Sequence, residues 1–238
     1  MRRILGLSLV ALITASASTA ALEPGQRSQA PYAGPRVRVS VSEIRDKTAG
    51  GGISTQMLEK HNIPWKAIGE GMREMLVTAL FKTKRFAILE RDLLEEILKE
   101  QDLAGSGRVQ GGTGAAAGGI VGADLIVTGA VTEFVTDALT VKGGAEVAGT
   151  QLDVSMNKGY VGLDIRIIDA KTSEVVVATY VMGRANSYGL EADPGEEAKL
   201  PVSLSVFAHT PAERAIRNAI QKAVADIVQM TPAEYYRH

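Results

Sequence analysis

The chain has 238 residues and a mass of 25.2 kDa, enough for one large or two small folded units with a sizeable core. Lys and Arg number 26 against 27 Asp and Glu, with no basic run, so the footprint that a nucleic-acid backbone demands is missing. The absence of Cys excludes disulfides, thiolate metal sites and cysteine nucleophiles together.

The first 21 residues have the order of an export signal. Arg2 and Arg3 give a basic start, Ile4 to Ile13 an apolar core, and Ser16 to Ala21 a small-residue cleavage region. The apolar run is too short for a membrane span. Removing 1–21 leaves 24 basic against 27 acidic residues, a mildly acidic exported protein. Residues 22–35, with Pro24, Pro31 and Pro35 among Gly and polar residues, predict an extended lead-in.

An α/β domain is expected from 36 to 134. Val37, Val39 and Val41 alternate with Arg36, Arg38 and Ser40, the period of a strand with one buried face. A long loop with three consecutive glycines follows, from Asp46 through Met57, Leu58, His61 and Asn62 to Pro64. From Trp65 to Phe81, Ile68, Met72, Met75, Leu76 and Ala79 recur at steps of three and four, predicting a helix. Phe86, Ile88 and Leu89 make a short strand. Asp92 is expected to cap a second helix with Leu94, Ile97 and Leu98 inward and Glu95 and Glu96 outward. This alternation favours helices packed on a sheet.

Residues 104–119 are rich in Gly and Ala, and Gly112, Gly114 and Ala117 match a relaxed G-x-G-x-x-A spacing. They follow a helix rather than a strand, so a flexible connector into a short helix is the better reading than a nucleotide loop. Leu125 to about Phe134 is again a strand.

Two alternating ribbons come next. In the first, 135–158, Leu139 and Val141 precede Gly143-Gly144 and Leu152, Val154 and Met156 follow it, which predicts a hairpin turning at the glycine pair. Residues 159–183 return to domain strands, with Val161, Leu163, Ile165 and Ile167 on one face and a second strand from Val175 to Met182. In the second ribbon, 184–207, Tyr188 and Leu190 precede a charged tip, and Val202, Leu204 and Val206 follow it. The last segment, 208–238, opens on Thr210-Pro211-Ala212-Glu213, an N-cap, an N1 proline and a capping-box Glu. Its helix to about Met230 carries Ile216, Ile220, Ala223, Val224, Ile227 and Val228 on one face.

The fold class is therefore α/β, a mixed sheet with packed helices plus two β-hairpins. His61, His209 and His238 are scattered, and no HExxH, GxSxG or GxxxxGK[ST] spacing occurs, so neither an enzyme nor a bound cofactor or metal is expected. The hairpins admit two readings: exposed extensions of a soluble sheet, or staves of a transmembrane barrel with one face toward lipid. Four strands cannot close a barrel, and open edges are not tolerated in hydrocarbon, so a spanning barrel would need several chains. The lipid-facing set would be Leu139, Val141, Leu152, Val154, Met156, Tyr188, Leu190, Val202, Leu204 and Val206, with Phe134, Tyr160, Tyr188 and Phe207 near the interfaces.

The run Met75-Leu76-Val77-Thr78-Ala79-Leu80, then Leu89-Glu90-Arg91, with Asp46 and Thr48 after the first strand, resembles the CsgG family of curli secretion channels. So does the layout from Ala123-Asp124-Leu125-Ile126-Val127-Thr128-Gly129 through Leu163 to Glu174 to the terminal helix. The resemblance implies a periplasmic domain forming a homo-oligomeric, nonameric ring whose paired hairpins build one outer-membrane barrel. It implies passage of unfolded fibre or adhesin subunits without nucleotide, and partners among outer-membrane or periplasmic accessory proteins. The alternative is a periplasmic module of the same type that never inserts. In that family the loop equivalent to Thr48–Pro64 narrows the channel, which makes Met57, Leu58, His61 and Asn62 the pore-constriction candidates here. The family's lipidated N-terminal Cys has no counterpart in this sequence, so anchoring is expected to rest on the barrel alone or to fail.

Overall fold

The structure is a computed structural model that describes residues 32–48, 64–135, 143–147, 150–154, 157–187, 201, 204, 207 and 210–238. Strand β1 (Val37–Asp46) leads into helix α1 (Trp65–Lys82), strand β2 (Phe86–Ile88) and helix α2 (Leu94–Gly105). Strands β3 (Leu125–Val135), β4 (Gly143–Val147), β5 (Thr150–Val154), β6 (Asn157–Asp169) and β7 (Val175–Ser187) follow. Helix α3 (Pro211–Met230) and a 3₁₀ turn (Ala233–Tyr235) end the chain.

Five strands form one sheet in the order β2-β1-β3-β6-β7, with β1 parallel to β2 and β3 and the remaining neighbours antiparallel. Helices α1 and α3 cover one face. Val161, Leu163, Ile165 and Ile167 of β6 are fully buried beneath them, because a period of two delivers every second side chain to the same side. Ile68, Met72, Leu76 and Leu80 of α1 and Ile216, Ile220, Ala223 and Ile227 of α3 close the core from above.

Helix α3 starts as its sequence predicts: the Thr210 hydroxyl accepts from the Glu213 N–H at 3.4 Å and Pro211 occupies the first turn. It lies so close to β7 that a Cβ on Gly183 would sit 1.9 Å from the Ala215 carbonyl oxygen and 2.6 Å from the Ala219 nitrogen. Helix α1 approaches β1 in the same way, a Cβ on Gly69 falling 2.1 Å from the carbonyl oxygen of Ile44.

Three local expectations are corrected. Asp92 does not cap α2; it pairs with Arg73, while the Glu90 carboxylate accepts from the N–H groups of Arg91 and Asp92, each at 2.8 Å. Ile97 and Leu98, expected inward, are 38% and 45% exposed, because α2 makes few contacts with the sheet or the other helices. No helix forms between Gly105 and Leu125; Gly107, Gly112 and Gly118 take positive φ, which favours successive turns.

Candidate functional site: the insertion-bearing end of the sheet

The two ends of the sheet differ in kind. At one end lie the starts of β1, β3 and β7 and the finish of β6, stapled by the C-terminal segment. Arg38 makes a two-pronged contact with Asp124, Nε to Oδ2 at 3.0 Å and Nη2 to Oδ1 at 2.7 Å, which holds the Asp124 carboxyl below its ordinary value. The His238 N–H donates to the Arg36 carbonyl at 3.1 Å. The Tyr235 hydroxyl donates to Asp169 Oδ2 at 2.7 Å, and the backbone N–H groups of Lys171 and Thr172 donate to Oδ1.

These donors lower the Asp169 pKa to about 2, the Tyr235 hydroxyl contributing most, and the hydrogen bond to the Asp169 carboxylate raises that of Tyr235 to about 12. Between pH 4 and 2 the unfolded chain then binds more protons at this position than the folded one. The contribution of Asp169 to stability is present above pH 4 and lost as pH falls toward 2. Tyr235→Phe is expected to flatten the pH dependence of the urea midpoint in that window, with no change in its slope between pH 6 and 8.

The opposite end carries three long insertions. The finish of β1, the finish of β3, the start of β6 and the finish of β7 all lie there. Lys47 N–H bonds the Val131 carbonyl at 2.8 Å, Val135 pairs with Tyr160, and Asn157 pairs with Ser187. The segments 49–63, 136–156 and 188–209 therefore depart from one edge of the fold. The first begins with a tight turn, in which the Thr48 N–H and hydroxyl both donate to Asp46 Oδ1 at 2.8 and 2.6 Å.

An aromatic cluster binds the roots of these insertions. The Trp65 ring, first residue of α1, meets Phe134 of β3 edge-on at 5.3 Å, and Phe134 meets Phe207 at 5.3 Å and 67°. Phe134 and Phe207, expected near a membrane interface, are instead core residues, 4% and 0% exposed. Leu204, expected on a lipid-facing strand, is also completely buried. Leu204 N–H bonds the Pro201 carbonyl and Thr210 N–H bonds that of Phe207, so the chain turns here, and the three-residue step from Leu204 to Phe207 aims both inward. Alternation of Val202, Leu204 and Val206 hides that step.

Within the first ribbon, β4 and β5 pair antiparallel as a separate two-stranded sheet. The chain reverses between Val147 and Thr150 rather than at Gly143-Gly144, both of which belong to β4. Cross-strand matching decides the register: Ala145 pairs with Leu152 and Gly143 with Val154, while Glu146 pairs with Gln151. Leu152 and Val154 are thus in β5, in register positions of one parity. Met57, Leu58, His61, Asn62, Leu139, Val141, Met156, Tyr188, Leu190, Val202 and Val206 lie outside the described residues.

Among the described residues no group of His, Asp and Glu could hold a metal ion, and no helix is long and apolar enough to cross a membrane. A groove of about 540 Å³ between α1 and α3 is lined by Met75, Ala79, Ile220 and Val224 with Glu74, Thr78 and Lys82.

A two-layer α/β sheet with three long insertions gathered at one end defines the class. The model of the family described as "Curli production assembly/transport component CsgG" matches residues 21–235, and the chain belongs to this family. A Neisseria meningitidis serogroup B protein named as a lipoprotein, NMB1126/NMB1164, is 28% identical over 143 residues, 56% of each chain; the present chain spans about half the length of that relative. Solved structures with a similar fold include CT253 from Chlamydia trachomatis (11% identity, 83% and 99% of the two chains, TM-score 0.44). PelC from Paraburkholderia phytofirmans, a dodecamer, is 14% identical with 82% and 93% covered and a TM-score of 0.33.

Proposed function

We propose that the protein is an exported, cell-envelope member of the CsgG family that assembles into a ring and provides a nucleotide-independent outer-membrane channel for unfolded fibre or adhesin subunits. One observation carries this reading: the segments 49–63, 136–156 and 188–209 leave the same end of one sheet. A ring of such chains gathers its constriction loops at one level and its ribbons on the same side, as a composite barrel needs. Family membership supports the same reading, and the lipoprotein name of the neisserial relative accords with an exported protein of the envelope. The chemistry is passive, with no catalytic residue and no cofactor.

A second reading has its own support. Leu204 and Phe207 are buried in the domain core, which holds the last part of the second insertion against the globular body. That arrangement favours a periplasmic module which binds envelope partners and does not insert.

The mature protein isolated from outer membranes is expected to migrate as a heat-sensitive, detergent-stable oligomer and to conduct ions in planar bilayers. Leu139→Asp is expected to abolish insertion, since a lipid-facing charge opposes insertion in every subunit and the ring multiplies that cost. A monomer released by osmotic shock would favour the module, whereas normal conductance from Leu139→Asp would show that Leu139 faces water rather than lipid.

A further inference from the structure

Helix α2 and the bare face of the sheet are each incomplete within one chain. Leu93, Ile97 and Leu98, at and beyond the start of α2, are 56%, 38% and 45% exposed, on a helix that scarcely touches its own sheet. Carboxylates flank this apolar stripe: Glu96 and Glu100 lie along one side, Glu95 and Asp102 along the other, with Lys99 as the single basic residue of the helix. Glu95 already pairs with Lys99 at 3.1 Å. The helix is therefore an acid-edged apolar ridge.

The sheet face turned away from α1 and α3 is its complement. Among the described residues no helix covers it, and its centre holds Ala130, Ala178, Met182 and Tyr180, the last 47% exposed. Cations rim that centre. Arg45, Lys47 and Arg166 line a hollow of about 170 Å³ with Asp164, and Lys158 and Arg184 line a second hollow with Glu133. Cations outnumber carboxylates in both.

We propose that α2 of one copy seats its apolar stripe on the bare sheet face of a second copy, its carboxylates meeting the rim of Arg45, Lys47 and Arg166. The inference rests on the ring-forming reading above and names the surfaces that build the ring. Opposite charge on two different patches makes the contact heterologous, the kind that propagates from copy to copy and closes where the rotation permits. It also turns each two-layer subunit into a helix-sheet-helix sandwich, the arrangement that sheets with two half-apolar faces require. Charges placed around such a contact set register and exclude wrong pairings.

The experiment uses the full mature chain, with assembly followed by sedimentation and native mass spectrometry and folding by circular dichroism. Glu96→Lys with Glu100→Lys, and separately Arg45→Glu with Arg166→Glu, should each raise the half-assembly concentration by roughly tenfold or more. All four substitutions together should return it to within about threefold of the native value, because opposite signs then face each other again. Native chains that assemble while the α2 reversal assembles equally well would overturn the interface and leave the ring standing. A disrupting α2 reversal that the sheet reversal does not rescue would also overturn it, because α2 would then dock elsewhere. Native chains that stay monomeric at every concentration would instead remove the ring itself.

Discussion

Replacing Gly183 by Ala is expected to destabilise the domain by about 3 kcal/mol or more, and by Val to prevent folding. The added Cβ would lie 1.9 Å from the carbonyl oxygen of Ala215 and 2.6 Å from the nitrogen of Ala219, both backbone atoms in the middle of α3. Neither can swing aside as a side chain could. Relief requires α3 to lift from β7, which uncovers Ile216, Ile220 and Val181. Gly111→Ala is the control, since a Cβ there meets nothing within 4 Å and its φ is not positive, so stability is expected to stay level or rise by a few tenths of a kcal/mol. Urea unfolding of the two variants measures the difference; equal midpoints would show that α3 does not pack on β7 at this distance.

Phe207→Ala carries the second large effect, an expected loss of about 3–5 kcal/mol. Its side chain is completely buried against Phe134, which in turn holds Trp65, so truncation opens a cavity at the root of all three insertions. The variant separates the two functional readings. In a non-inserting module Phe207 stabilises the working form, and partner binding falls with stability. In a channel whose second ribbon leaves the body to span the membrane, the loss falls on the unassembled chain. Assembly into the detergent-stable ring is then unchanged or faster. A Phe207→Ala protein with native urea midpoint would show that the ring contacts contribute nothing to the domain.

Much of the fold was legible along the chain because its signals are local. The 3.6-residue recurrence of Ile68, Met72 and Leu76, the Thr210-Pro211-Ala212-Glu213 start and the alternation of Val161 to Ile167 each require only neighbours in sequence. The curli family was legible from the Met75–Arg91 block and the order of elements. The failures share one cause. Ile97 and Leu98 have the spacing of a core helix, yet burial needs a surface opposite, and the sheet and the other helices offer α2 almost none. Gly143-Gly144 has turn chemistry, but the pairing of Ala145 with Leu152 moved the reversal along. Leu204 has the parity of a ribbon, and a turn closed on Pro201 sent it inward.

Amino-acid order by itself determined which segments are helix and strand, the domain's α/β class and its family, because periodicity, caps and short motifs act over a few residues. Only the tertiary structure decided that three insertions spread between residues 49 and 209 leave one end of a single sheet, that an aromatic trio joins their roots, and that the bare sheet face and α2 are left with opposite charge. The physical reason is that strand order and direction are set by long-range hydrogen-bonded pairing, β1 beside β3 and β3 beside β6, which no local pattern encodes.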